Sequence, residues 1–177
     1  MIEATRRTIP EDHPIRVLFH TLTERSFEQM KFRDEDTIQY ITNLLTDFVD
    51  VKNLRRVKDD SGRELESVFE ILRQAGNIMA PEIRRDYYRH IGDVTLFQLG
   101  LYPESLTYGR HTVSPDFYAE QGRRSYDIVA MMEQTRWTTV FRKLSLQFEQ
   151  CVVGLNRVKL YINDPFYQYV FREFGVT

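Results

Sequence analysis

The chain has 177 residues, 42% of them hydrophobic and 13% aromatic, with 24 basic and 26 acidic side chains and a formal net charge of -2. A domain of this length can bury roughly two thirds of its unfolded surface, so no disulfide or metal is needed to hold it together. The balance of charge argues against a nucleic-acid partner, because nothing supplies the positive field that a phosphate backbone requires.

The single cysteine, Cys151, can neither close a disulfide within the chain nor build a multi-Cys zinc site, which points to a reducing, cytoplasmic compartment. Residues 1–7 lead into no long apolar run, so no secretory signal is expected. No window reaches the ~18 apolar residues of a membrane span.

In chain order, residues 1–12 read as a flexible arm, after which His13-Pro14 opens a first helix. Ile15, Leu18, Phe19, Leu22, Ser26 and Met30 form its apolar stripe. Carboxylates at 34–36 cap a second helix bearing Ile38, Ile41, Leu44, Leu45, Phe48 and Val49. Periodicity is lost over 51–62, where Asp59-Asp60-Ser61-Gly62 predicts a turn between irregular or short extended pieces.

A third helix carries Val68, Phe69, Ile71 and Leu72 and stops near Ala75-Gly76-Asn77. Pro81 begins a long fourth helix reaching Tyr102-Pro103, and 104–113 is expected to be a connecting loop. Ser114-Pro115-Asp116 starts a fifth helix, with a capping hydroxyl, a proline at the first position and a carboxylate at the positive end of the dipole. A sixth helix aligns Trp137, Val140, Phe141, Leu144, Phe148, Cys151, Val152, Leu155 and Val158, and Asp164-Pro165 predicts a short closing aromatic helix over 166–174. The expectation is all-α: a six- or seven-helix, bundle-like single domain over 1–177.

The fourth predicted helix changes character along its length. It is amphipathic from Ile83 to Ile91 and apolar nearly all round from Val94 to Leu101, which places Asp93 at the edge of the buried region. A carboxylate there must be paired or hydrogen-bonded, because an uncompensated buried charge costs several kcal/mol. Arg123 and Arg124, with the hydroxyls of Tyr118, Ser125 and Tyr126, offer partners from the fifth helix. Gly92, Gly100 and Gly122 allow the two helices to approach closely.

The plain reading of Asp93 is a structural ion pair or interhelical hydrogen bond. The sharper reading is a pocket for a polar ligand lined by Asp93, His90, Arg123, Arg124, Tyr118, Ser125 and Tyr126. Asp86, His90 and Asp93 share a helix face at metal-ligand spacing, but no second ligand cluster or Glu-x-x-His pair accompanies them, so a solvated polar face is preferred and neither a metal nor a cofactor is expected. His13 reads as a cap, His20 and His111 as surface residues, and Cys151 as a buried, inert thiol on the core stripe. No catalytic set assembles.

The run Arg89-His90-Ile91-Gly92-Asp93-Val94-Thr95-Leu96-Phe97 continuing to Pro103-Glu104-Ser105-Leu106, followed by Phe117-Tyr118 and Gly122-Arg123-Arg124-Ser125-Tyr126, resembles a group of uncharacterised bacterial proteins. That resemblance implies a bacterial all-helical domain and brings no activity or site residue with it. Surplus aromatics in 166–174 add a homodimer or protein partner to the expectations. The sequence therefore favours a non-catalytic binding or protein-interaction module, with an enzyme or small-ligand sensor built around Asp93 as the alternative.

Overall fold

Short polar side chains and prolines start most of the helices of this computed structural model, which describes residues 9–106, 113–165 and 168. Helix α1 (Pro14–Glu28) begins with Pro14 while His13 Nδ1 accepts the Ile15 N–H at 3.3 Å. Asp34 caps α2 (Glu35–Asp47) by accepting the Thr37 N–H at 3.1 Å, and it also holds the Lys143 ammonium. Asp50 caps the short α3 (Val51–Leu54), and Ser67 caps α4 (Val68–Asn77). Pro81 opens α5 (Pro81–Leu101), and a 3-10 turn over Pro103–Leu106 ends that passage. Ser114 Oγ accepts the Phe117 N–H at 3.2 Å to start α6 (Pro115–Met132), and α7 (Trp137–Leu146) and α8 (Phe148–Ile162) follow. Such caps satisfy backbone donors that have no partner inside the helix.

The fold is all-α, as the periodicity implies, and no described helix is long and apolar enough to cross a membrane. Three details differ from the sequence expectation. The continuous sixth helix divides at Gln147 (φ -116, ψ 28), leaving Leu146 76% exposed at the break. The break turns one apolar stripe toward two sets of neighbours: α7 packs against α6 and α2, while α8 packs against α5 and α1.

The segment expected to be irregular or extended contains the single-turn α3, and its extended part is an isolated antiparallel bridge between Lys58 and Glu64. The turn between them uses Gly62 at φ +85, in the left-handed region, with Asp59 accepting from the Ser61 and Arg63 backbones. Third, His20 is half-buried rather than on the surface, with its Nδ1 enclosed. Of the arm, residues 1–8 lie outside the described residues, as do His111 and nearly all of the predicted closing helix. Ile9 packs against the core, and its carbonyl accepts from Arg16 Nη1 at 3.0 Å.

Helix α5 is the axis of the core. From His90 to Leu101 every side chain except Gln98 is buried, and α4, α6 and α8 all pack on it. Where α6 crosses, the backbones meet closely. A Cβ on Gly92 would lie 2.8 Å from the Tyr126 ring of α6, and one on Gly122 would lie 2.6 Å from the Thr95 hydroxyl of α5 and 2.3 Å from the Phe148 ring of α8. The glycines thus create the tight α5–α6 seam expected of them, although Gly100 faces Leu155 of α8 instead.

Candidate functional site

Asp93 lies on α5 where that helix passes from half-wet to fully buried, and it is 2% exposed. Among the described residues, Tyr40, Tyr126 and Arg89 answer its charge. Tyr40 of α2 donates its hydroxyl to Oδ1 at 2.6 Å, and Tyr126 of α6 donates to the same oxygen at 3.0 Å. Arg89, one turn earlier on α5, brings Nε to 3.9 Å from Oδ2 and donates from Nε to the Tyr40 hydroxyl at 3.2 Å. Tyr40 therefore accepts from the guanidinium and donates to the carboxylate, joining three helices in one polar network. Charge-assisted hydrogen bonds of this kind are the strong ones, and they offset the cost of removing Asp93 from water.

The aromatic surroundings explain the placement. Tyr40 meets the edges of Phe141 and Tyr126 at centroid distances of 5.2 and 6.4 Å, and Arg89 lies 5.5 Å above the Tyr40 ring and 5.9 Å above that of Phe141. The Tyr40 charge interaction, foremost, and that of Asp93 raise the pKa of the guanidinium against the opposing effect of burial. Burial, with the Asp93 charge beside it, pushes the Tyr126 phenol well up. Both groups keep their protons, so the network holds its polar atoms in a fixed arrangement.

A cleft of about 660 Å³ opens over this network, between α2, α7, the end of α6 and residues 9–11. Asp93, Arg89 and Tyr40 form its floor, Trp137 and Phe141 an aromatic wall, and Asp47 also lines it. The volume falls in the range of small-molecule sites.

The residues named from the sequence divide cleanly. Asp93 and Tyr126 meet directly, and the expectation that Asp93 is paired holds. Its guanidinium partner, however, is neither Arg123 nor Arg124. Arg123 is exposed and engages Glu120 and Glu149, the latter at 3.6 Å, and Arg124 is also exposed. The glycine-bearing seam brings α6 so close that its buried face has room for a phenol but not for an arginine. Tyr118 and Ser125 are buried but do not line the cleft.

His90 is fully buried and faces away from the cleft: its Nδ1 accepts from Arg56 Nε at 3.1 Å and its ring meets Phe48 edge-on at 6.3 Å. It ties the segment after α3 to α5. Asp86, half-buried and 3.9 Å from Arg85, stays apart from both. Among the described residues no three His, Cys, Asp or Glu side chains converge on a metal-sized site. Cys151 is buried in the core, and burial pushes its thiol up to about 12.

Arg89, Tyr40, Trp137 and Phe141 are the site residues that sequence reasoning missed. The spacing of Arg89 and Asp93, four apart on one helix, was a usable signal. Tyr40 gave none, because it falls off the apolar stripe of α2.

No protein-family model matches this chain, and neither a curated protein nor a solved structure matches it. The resemblance quoted for residues 89–126 therefore stands on those residues alone.

Proposed function

We propose that the protein is a non-catalytic binding module that takes a small polar ligand in the cleft above Asp93, Arg89 and Tyr40. One observation carries the reading: a cleft of about 660 Å³ ends on a buried charged pair that side chains of three helices hold in a single geometry. A structural ion pair needs no such opening, and the carboxylate of the floor, Asp93, is already engaged by Tyr40, Tyr126 and Arg89. The floor thus supplies orientation through fixed polar atoms, and the aromatic wall supplies contact area. On this reading the module works in the reducing cytoplasm of a bacterial cell, in keeping with its lone buried thiol and the resemblance over 89–126.

Trp137 is the chain's one tryptophan and lines the cleft, so its fluorescence reports occupancy directly. Screening small alkyl and aromatic amines, acids and alcohols against Trp137 emission and the melting temperature should yield at least one saturable response. That response should weaken in Tyr40→Phe and Arg89→Lys. A screen that is silent on the intact protein, with a Tyr40→Phe variant that melts like the parent, rejects the reading.

The aromatic surplus of 166–174 supports a second reading, in which the chain docks on a partner protein or a second copy of itself. Sedimentation velocity across a concentration series tests the homodimer: a constant monomeric coefficient excludes it.

A further inference from the structure

We propose that the cleft takes an uncharged ligand through a carbonyl oxygen, held by the terminal Nη atoms of Arg89. The inference rests on the reading of the cleft as a binding site and names its ligand class.

The donors come first. A guanidinium only donates hydrogen bonds and has no acceptor, so a ligand that engages one must bring the acceptor. Arg89 donates from Nε to the Tyr40 hydroxyl at 3.2 Å, and the same nitrogen stands 3.9 Å from Asp93 Oδ2. Among the described residues nothing accepts from its Nη1 or Nη2, although the side chain lines the cleft and is 34% exposed. Arg16, the other guanidinium of the lining, differs: its Nη1 donates to the Ile9 carbonyl at 3.0 Å and its Nη2 to Glu11 at 3.4 Å. The open N–H bonds of the cleft are therefore those at the tip of Arg89.

That tip is also fixed. The Nε bond to Tyr40 anchors the guanidinium, which lies over the rings of Tyr40 and Phe141 at 5.5 and 5.9 Å. A planar fork held in this way matches an sp² oxygen, whose lone pairs lie in the plane of the carbonyl group.

Charge decides which carbonyl. Glu11 is answered by Arg16, Glu133 by Arg85 at 3.6 Å and Asp93 by Arg89, and Arg136 stands 5.1 Å over the Trp137 ring. A cation brings nothing that accepts from Arg89 and is repelled by it. A carboxylate would be a second anion on a guanidinium that already faces Asp93, so repulsion offsets what it gains at Nη. An uncharged amide or ketone accepts from Nη and leaves these pairs as they stand. Ile9, Pro10 and Leu44 give apolar surface to the rest of such a ligand.

The test is a titration of Trp137 fluorescence on the full chain with n-pentanamide, 2-hexanone, n-pentylammonium and n-pentanoate at constant ionic strength. Both carbonyl probes should give saturable shifts at least about tenfold tighter than either ion, the factor expected when a hydrogen bond to a charged group is gained. Arg89→Lys, which keeps the charge and loses the fork, should weaken both carbonyl probes by about tenfold, with its melting temperature showing that it folds. Pentanoate or pentylammonium binding as tightly as the carbonyls overturns the ligand class while leaving the cleft a binding site. Unchanged carbonyl binding in folded Arg89→Lys overturns the assignment to Arg89. If Arg89→Lys fails to fold, the order of the probes on the parent decides alone. Silence from both carbonyls overturns the proposal, and silence across the broader screen as well removes the binding reading.

Discussion

The two sides of α5 at Asp93 differ in a way that decides where a ligand can go. Toward α6 the seam is closed, with Gly92 against Tyr126 and Gly122 against Thr95, so no space is left beyond one phenolic hydroxyl. Toward α2 and α7 the helices are held apart by Tyr40, Trp137 and Phe141, and the cleft opens between them. Small residues bring helices together and fill the gap; large side chains keep them apart and leave room. A buried carboxylate with glycines on one side is therefore to be sought from the opposite side.

Four substitutions break or sharpen that contrast. The largest effect is expected for Asp93→Ala, which leaves Arg89 and two phenols without their common acceptor. Urea denaturation should show a loss of about 3 kcal/mol. A loss near zero means that the network contributes nothing to the fold.

Gly122→Ala attacks the closed side alone, forcing a methyl group against Phe148 at a cost of about 2 kcal/mol. Trp137 emission should stay unchanged, and a shift would show that the two sides are coupled.

Tyr126→Phe removes one donor to Asp93 and should cost about 1 kcal/mol at neutral pH. It also alters the alkaline limb. The folded-state pKa of Tyr126 lies well above the ordinary value of 10.0, so its share of stability is intact below pH 10 and declines as pH rises from there toward the folded value. Melts of Tyr126→Phe should fall less steeply above pH 10 than those of the parent. Equal slopes would assign the alkaline loss to other buried phenols such as Tyr118, whose pKa burial also raises.

Arg124→Ala should change stability by less than about 0.5 kcal/mol, as expected for an exposed side chain outside the network. A loss comparable to that of Asp93→Ala would restore Arg124 as a partner of the carboxylate.

Much of this was legible in the chain. The starts of α1, α2 and α6 follow from His13-Pro14, Asp34 and Ser114-Pro115, since caps and prolines act within one turn. The burial of Asp93 follows from the apolar run after it on α5. The break at Gln147 was not legible, because both halves share one stripe and only their different neighbours separate them. Nor was the pairing of His90 with Arg56, which depends on how the segment after α3 returns to α5.

What this sequence settles by itself is local: which stretches are helical, where most of them begin, and that residue 93 must find compensation at the edge of a core. Helical period and capping involve only residues within about a turn of each other, so no knowledge of the fold is required. Which groups compensate Asp93, and on which side of α5 space remains, were decided by tertiary packing. Tyr40 and Tyr126 are 53 and 33 residues from it in the chain, and only the docking of α2 and α6 brings them within hydrogen-bond reach.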